Sequence, residues 1–293
     1  MLTEKNVIVN GKSMVEYSFK GYNFLVDPLK DKKFPAELKK VVAILEKGID
    51  NLSSVDRLQL LNLYNAAYHT SGKIEGIVSL DSSATASEFC KAMRKAAENN
   101  PAHICGMCYD YAQEHSFKGR NVRNRHTLNL LIMASVEFTK EELAILPGGI
   151  LVRINSSGDT ENIIYAKNMI NYTFSHPYGR VGYWAKNIIP IIRACDELGK
   201  PENLVLIQSS PIIGKVIPLA KYFDYVFAVF ATKEDIEEAL KNGACECNGR
   251  KCKDCGFSCY CRTWPKNSVI AEYLRGVNDK TRKEISERAR ERK

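Results

Sequence analysis

The sequence has no apolar run that approaches the ~18 residues of a membrane-spanning helix. Its first residues, MLTEKNVIVNGKS, lack the basic-then-apolar plan of a secretory leader. Both absences place the chain, as an expectation, in the cytoplasm, where thiols stay reduced, and no membrane partner is expected. P-loop, GxGxxG, HExxH and GxSxG spacings are missing, which removes the commonest nucleotide-binding, zinc-protease and serine-hydrolase readings. Histidine is scarce, and His103, His115, His126 and His176 are scattered, which favours structural roles over a shared ligand set.

In other respects the composition is that of a soluble globular protein, with 45% hydrophobic and 26% charged residues. A chain of 293 residues buries a sizeable core, as one large α/β domain or two smaller ones. The net charge is +8, and the stretch from Arg262 to Lys293, with ten basic and five acidic residues, supplies +5 of it. The signs there are interleaved, so a solvated helix is preferred to a nucleic-acid arm. A second basic run, Lys118, Arg120, Arg123 and Arg125 with His126, holds no acid and suits phosphates or a nucleic-acid backbone.

Cysteine is concentrated in one place. Six of the ten cysteines fall within CECNGRKCKDCGFSCYC: Cys245, Cys247, Cys252, Cys255, Cys259 and Cys261. The CxC, CxxC and CxC spacings let thiolates converge with little backbone travel, and Gly249 and Gly256 suit tight turns. A disulfide staple is the competing reading, but oxidised scaffolds spread their cysteines along secreted chains. A thiolate metal site is therefore expected, with an iron–sulfur cluster as first choice and zinc as second.

Residues 1–35 alternate weakly and read as one or two short strands or an irregular arm. PAELKKVVAILEKGIDNL, with Leu38, Val41, Val42, Leu45 and Ile49 on one stripe, and DRLQLLNLYNAAYHT read as helices. Residues 1–72 are thus expected to be a helical N-terminal addition. From Lys73, apolar strands beginning near Ile74, Ile150, Val181, Asn203 and Tyr225 alternate with helices, one of them over 212–223. That is the pattern of βαβ units and a parallel sheet. The expected fold class is α/β, a partial (β/α) barrel or an open parallel sheet over 73–262. It includes the cysteine knuckle 245–261 and is followed by a basic helical tail, 263–293. A doubly wound order fits the strand count equally well. In each case ligands bind at the C-terminal strand ends. The polar segments 81–83, 155–159, 186–187, 208–210 and 231–233 are expected to crowd that rim.

Three groups near the rim carry chemistry. Cys105 and Cys108 form a CxxC next to Tyr109, with Cys90 on the preceding helix. Three thiols there can hold a cluster with one open iron; a redox pair or half a zinc site uses the same CxxC. A further arrangement joins Cys105 and Cys108 to part of the knuckle, while Cys195, in an apolar helix, reads as core. Asp159, on the turn Ser157-Gly158-Asp159, can bind an amine or a sugar hydroxyl, with Arg153 pairing it or a substrate carboxylate. Capping the next helix is the plainer role for that aspartate. Trp184, Lys186 and Asn187 offer an aromatic platform and a cation at the next strand end. In an enzyme, Asp159, Arg153 and Lys186 are the candidate catalytic residues. Ser157, Gly158, Asp159 and Asn187 are the candidate set for a small-molecule cofactor.

Taken in order, these motifs resemble a family. CxxCY (Cys105, Cys108, Tyr109), R-x3-SGD (Arg153, Ser157, Gly158, Asp159), WxKN (Trp184, Lys186, Asn187) and C-x4-C-x2-C-x3-CY (Cys247, Cys252, Cys255, Cys259, Tyr260) resemble the gene-product-88-like proteins of phages and prophage-like elements. The resemblance implies a layout similar to radical-SAM enzymes. There three cysteines hold a [4Fe–4S] cluster, its open iron binds S-adenosylmethionine, and a Gly-acid turn receives the amine. By that likeness Gly158 and Asp159 face the methionine amine, although the CxxxCxxC spacing of those enzymes is absent. The function expected is a cytoplasmic, phage-type metalloprotein of unassigned activity. The alternative is a nucleic-acid-binding protein with a structural zinc knuckle, making contact through Lys118, Arg120, Arg123, Arg125 and the tail.

Overall fold

Asn10-Gly11 and Lys20-Gly21 all take positive φ, the conformation of two-residue hairpin loops whose twist matches strand pairing. In the computed structural model they join β1 (Thr3–Val9), β2 (Lys12–Phe19) and β3 (Tyr22–Val26) into an antiparallel sheet of their own. The structure describes residues 1–70, 72–116, 119–247, 251–255, 258–263, 265, 267–274 and 278–291. Proline in the first turn starts α1 (Phe34–Leu45), and a Ser53–Asp56 capping box starts α2 (Ser54–Leu63). β4 (Ala67–Tyr68) then pairs antiparallel with β5 (Val78–Leu80) of the main sheet. Residues 1–72 are therefore not a helical addition. β1 exposes most of its side chains, so its alternation carries little hydrophobic contrast.

The connection from β5 is long: α3 (Glu88–Ala97), a 3₁₀ turn at Ile104–Met107, α4 (Tyr109–His115), α5 (Arg120–Ser135) and α6 (Lys140–Leu143). Then follow β6 (Leu151–Ile154), α7 (Ile163–Ser175), β7 (Arg180–Ala185), α8 (Ile188–Leu198), β8 (Leu204–Ser209) and β9 (Tyr225–Phe230). The chain continues with α9 (Lys233–Lys241), β10 (Cys245–Cys247), α10 (Ser258–Cys261), β11 (Val269–Tyr273) and α11 (Asp279–Glu291). The main sheet has eight strands in the order β10-β11-β9-β8-β7-β6-β5-β4, parallel except for β4. The protein is thus α/β with a mostly parallel sheet.

From β5 to β9 each strand lies beside its sequence neighbour. With right-handed crossovers that order puts the helices on one face, whereas a doubly wound sheet reverses direction midway. The packing agrees. Val152, Ile154, Val181, Tyr183, Leu204 and Leu206 face a core built with α1, α5, α7 and α8. Their strand neighbours Leu151, Trp184, Val205, Ile207, Tyr225 and Ile270 form a second cluster with Cys252 and Tyr260 of the cysteine-rich stretch. β8 is buried at every position, as a strand covered on both faces must be.

Two sequence expectations differ from this frame. Residues 212–223 are not helical, because Gly214 and Pro218 interrupt the run; backbone bonds from Ile213 to Ala102 and from Gly214 to Val229 hold the segment instead. The tail is not separate either. β11 sits between β9 and β10, and Ile285 of α11 is buried with Ala102, Ile213, Ala231 and Leu274. Among the described residues no helix is long and apolar enough to cross a membrane.

Candidate functional site: two cysteine-lined cavities

The polar residues after β5, β6 and β7 are bound to one another. The Asp81 carboxylate accepts from the Ser156 and Ser157 N–H groups at 2.8 and 3.0 Å, and from the Ser79 and Ser156 hydroxyls. Ser82 donates its N–H to the Ser157 carbonyl and its hydroxyl to the Asp159 carbonyl. A Cβ on Gly158, at φ +76°, would collide with Ser82, so glycine is required where the two loops cross. Asp159 in turn accepts N–H bonds from Thr160 (2.8 Å), Lys186 (3.0 Å) and Asn187 (3.3 Å). It does not cap α7; Asn162 does, accepting from Tyr165 N–H. Asp159 is a clasp between the loops that follow β6 and β7.

Cys90, Cys105 and Cys108 meet this clasp. Ser87 caps α3 by accepting the Cys90 N–H, His103 accepts the Cys105 N–H through Nδ1, and Cys108 Sγ accepts from Tyr111 N–H at 3.4 Å. The Ile104–Met107 turn packs back on α3, and Ile104 N–H bonds to the Pro211 carbonyl. Together these bonds carry the three thiols to a cavity of about 60 Å³ shared with Gly158, Asp159, Lys186, Asp110 and Arg94. Burial raises the pKa of all three thiols. Burial works against the Lys186 ammonium, but Cys105, Asp159, Cys90 and Cys108 outweigh it and hold its pKa above the usual value. Asp159 is raised by burial, with Lys186 and the three N–H bonds opposing. Asp110 is pushed up to about 6 by burial and by the neighbouring Asp81 and Glu114 carboxylates.

The described residues of the cysteine-rich stretch line a second cavity, about 240 Å³, on the opposite face of the sheet from the main helices. Cys247, Cys252, Cys255 and Cys259 line it, facing Arg153, Trp184, Lys73 and Tyr260. Cys252 N–H bonds to the Lys73 carbonyl at 2.7 Å, and Lys73 pairs with Glu272 of β11 at 2.6 Å. The Arg153 guanidinium lies 4.2 Å over the Trp184 ring, and Tyr260 meets that ring edge-on at 5.5 Å. Gly182 permits this, since a Cβ there would strike Trp184 and press on Tyr260. Among the described residues, Arg153 Nε and the Tyr260 hydroxyl are buried without a hydrogen-bond partner. Burial raises the Cys252 pKa; Cys259 is pushed up to about 12 by burial, then by Cys247, Cys255 and Cys252 beside it.

Seven of the nine flagged cysteines are thus sorted into a triad and a quartet. Cys245 and Cys261 line neither cavity, and Cys261 Sγ accepts from Arg180 at 2.8 Å. Cys195 is core, 2% exposed. Joining Cys105 and Cys108 to the knuckle is not the arrangement found. Among the described residues no group of three or more His, Cys, Asp or Glu side chains stands placed to hold a metal ion as it is. The donor sets are nevertheless those of soft thiolate metals. Gly249 and Gly256 lie outside the described residues.

Other candidates are placed differently from expectation. Arg153 does not join Asp159 and Lys186: its side chain lines the knuckle cavity, while they follow the ends of β6 and β7 at the smaller one. The basic run turns inward. Arg120 is 6% exposed against Met14, Arg125 pairs with Glu37 and Asp31 over the Phe34 ring, and His126 bonds Glu114 at 2.9 Å. Arg123 is half-buried, and Lys118 lies outside the described residues. A separate phosphate-binding face is not what α5 presents. Lys73 and Asp110 escaped sequence reasoning; Asp110 directly follows CxxCY, but no spacing rule singles out a carboxylate there.

No protein-family model, no curated protein and no solved structure matches the chain.

Proposed function

We propose that this protein is a thiolate metalloprotein, iron–sulfur rather than zinc, on a partial (β/α) barrel, with the triad Cys90, Cys105 and Cys108 forming a centre at the strand ends and the quartet Cys247, Cys252, Cys255 and Cys259 forming another. The observation that carries it is the sorting of these cysteines into two cavities, one of which also receives Gly158, Asp159 and Lys186. A three-thiol set leaves one metal position free for a small molecule, which is the arrangement of a reactive centre; a four-thiol set is closed. The motifs that resemble the gene-product-88-like proteins contribute five of the twelve residues lining the smaller cavity and seven of the thirteen lining the larger, which supports that kinship. The barrel reading draws support from the Lys73–Glu272 pair. In a flat sheet β5 and β11 would lie about 24 Å apart, at ~4.8 Å per strand, yet Lys73 Nζ, in the β4–β5 loop, is 2.6 Å from Glu272 of β11.

S-adenosylmethionine, the ligand implied by the radical-SAM likeness, does not fit a 60 Å³ cavity as it stands; small-molecule sites usually offer ~300 Å³ or more. Its binding needs the rim to open, so no reaction is assigned. A zinc knuckle on a nucleic-acid-binding protein is the weaker reading because Arg120 and Arg125 are engaged within the fold. Metal analysis with an absorption spectrum on protein purified without oxygen decides between them. Iron with sulfide and a broad band near ~400 nm is expected, reduced in part by serine at the triad and in part by serine at the quartet. Zinc with a featureless visible spectrum would shift the assignment to a structural knuckle. Absence of any metal from protein so prepared would overturn both.

A further inference from the structure

Of the basic run at the start of α5, Arg120 and Arg125 are engaged within the fold, but Arg123 is not. Among the described residues its guanidinium makes no hydrogen bond or ion pair. Its Nε is closed off, whereas the side chain keeps part of its surface and lines a groove of about 380 Å³ with its two terminal nitrogens. Burial pulls its pKa below the usual value; Arg120 adds to the effect, and the Glu114 and Glu16 charges oppose it. A guanidinium that has lost part of its hydration without gaining a carboxylate is poised to take an anion.

The groove lies between one face of the N-terminal sheet and the helices at the rim. Val7 and Val9 of β1, and Glu16 of β2 with its register partner Leu25 of β3, come from the sheet. Lys91 of α3 and His115 of α4 join Arg123 from the helices. Lys91 pairs with Glu88 at 2.8 Å, but both ends stand in water, so the bond is weak and a ligand can replace it. His115 stacks on Tyr111 at 4.4 Å, and burial, Arg123 and Arg94 lower its pKa, which leaves the ring neutral at neutral pH. With Lys91 and Arg123 set against Glu16, the lining carries a single net positive charge.

That charge selects the ligand. A monoanion balances it, whereas a phosphate dianion would meet Glu16 without a second free cation. The arginine fork matches a carboxylate through two parallel hydrogen bonds. The volume exceeds the ~300 Å³ at which small-molecule sites begin. We propose that this groove binds a small organic carboxylate, its charged end on the terminal nitrogens of Arg123 and its apolar body against Val7, Val9 and Leu25. No cysteine is among the described residues that line it, so its occupation is independent of the metal centres proposed above.

The test is isothermal titration calorimetry of the full chain with phenylacetate and hexanoate, and with phenylacetamide and hexanamide as their uncharged counterparts. The carboxylates are expected to bind and the amides not to. Arg123→Gln should weaken carboxylate binding about tenfold or more, the size expected for a hydrogen bond between charged groups, and Lys91→Ala should weaken it less. Glu16→Gln, which removes the acid of the lining, should tighten it. Should Arg123→Gln not fold by circular dichroism, Val9→Trp, which fills the groove from β1, takes its place and should abolish binding. Failure of both carboxylates to bind, amides bound as tightly as the acids, or native affinity in a folded Arg123→Gln variant would each overturn the proposal. Inorganic phosphate bound more tightly than either carboxylate would overturn the choice of ligand.

Discussion

A single buried carboxylate holds the rim in register. Asp159, 3% exposed, receives three backbone N–H groups from two different loops, and its own carbonyl receives the Ser82 hydroxyl. Removing the carboxylate leaves those N–H groups without partners, at about 1–3 kcal/mol for each that water cannot reach. Asp159→Ala is expected to lower unfolding free energy by about 2–4 kcal/mol in urea titrations. Asp159→Asn, which retains one acceptor oxygen, should lose about half as much. An alanine variant with native stability would show that the clasp contributes nothing. The SGD motif drew attention to this residue because of its position after a strand. Two of its three N–H partners come from residues 27 and 28 positions further on, which no local pattern discloses.

At the scale of elements, α5 shows how charge that looks like a surface patch becomes internal wiring. Its apolar half, Leu128 to Ala134, is buried in the main core, so its basic first half has to lie along the packed N-terminal sheet and α4. Glu114 of α4 receives the Ser83 and Thr85 hydroxyls, the Thr85 N–H and the His126 ring. Burial lowers the His126 pKa, but the Glu114 bond together with the Asp81, Glu114 and Asp110 charges outweighs it and sets the pKa above 6.5. Burial likewise opposes the Glu114 charge, and the His126 bond and charge together with the Thr85 and Ser83 bonds outweigh it and lower the carboxyl below 4.5. A raised histidine pKa stabilises the fold fully below its unfolded value of 6.5, and the contribution is lost as pH rises through the folded value. The depressed glutamate contributes above 4.5 and is lost as pH falls through its folded value. Urea unfolding should therefore show stability declining on the alkaline side of pH 6.5, and His126→Gln should flatten that decline. A variant with the same slope as the native chain would refute the pairing.

At the scale of the whole molecule, the C-terminal residues are part of the sheet. Ending the chain after residue 262, where composition suggests a boundary, deletes β11 from between β9 and β10 and uncovers Ala102 and Ile213. Such a product is expected to lose near-ultraviolet dichroism and to aggregate in gel filtration. Ending after residue 274 keeps β11 and removes only α11, and should leave a folded monomeric profile with a lower melting temperature. Two well-folded products would show the strand to be dispensable.

What the sequence by itself determined was the alternation of apolar strands and helices, the α/β class, the polar loops that meet after β5, β6 and β7, and the two groups of cysteine. Strands buried on both faces read as continuous apolar runs, and thiols two to five residues apart converge with little backbone travel. The tertiary structure alone decided that Cys90 joins Cys105 and Cys108, and that Cys245 and Cys261 stand aside. It also turned Arg153 toward the cavity that Cys247, Cys252, Cys255 and Cys259 line, drew Arg120 and Arg125 inward, and set β11 inside the sheet. These outcomes rest on strand order and on contacts such as Lys73 with Glu272, 199 residues apart, whose energy is felt only once the chain has closed on itself.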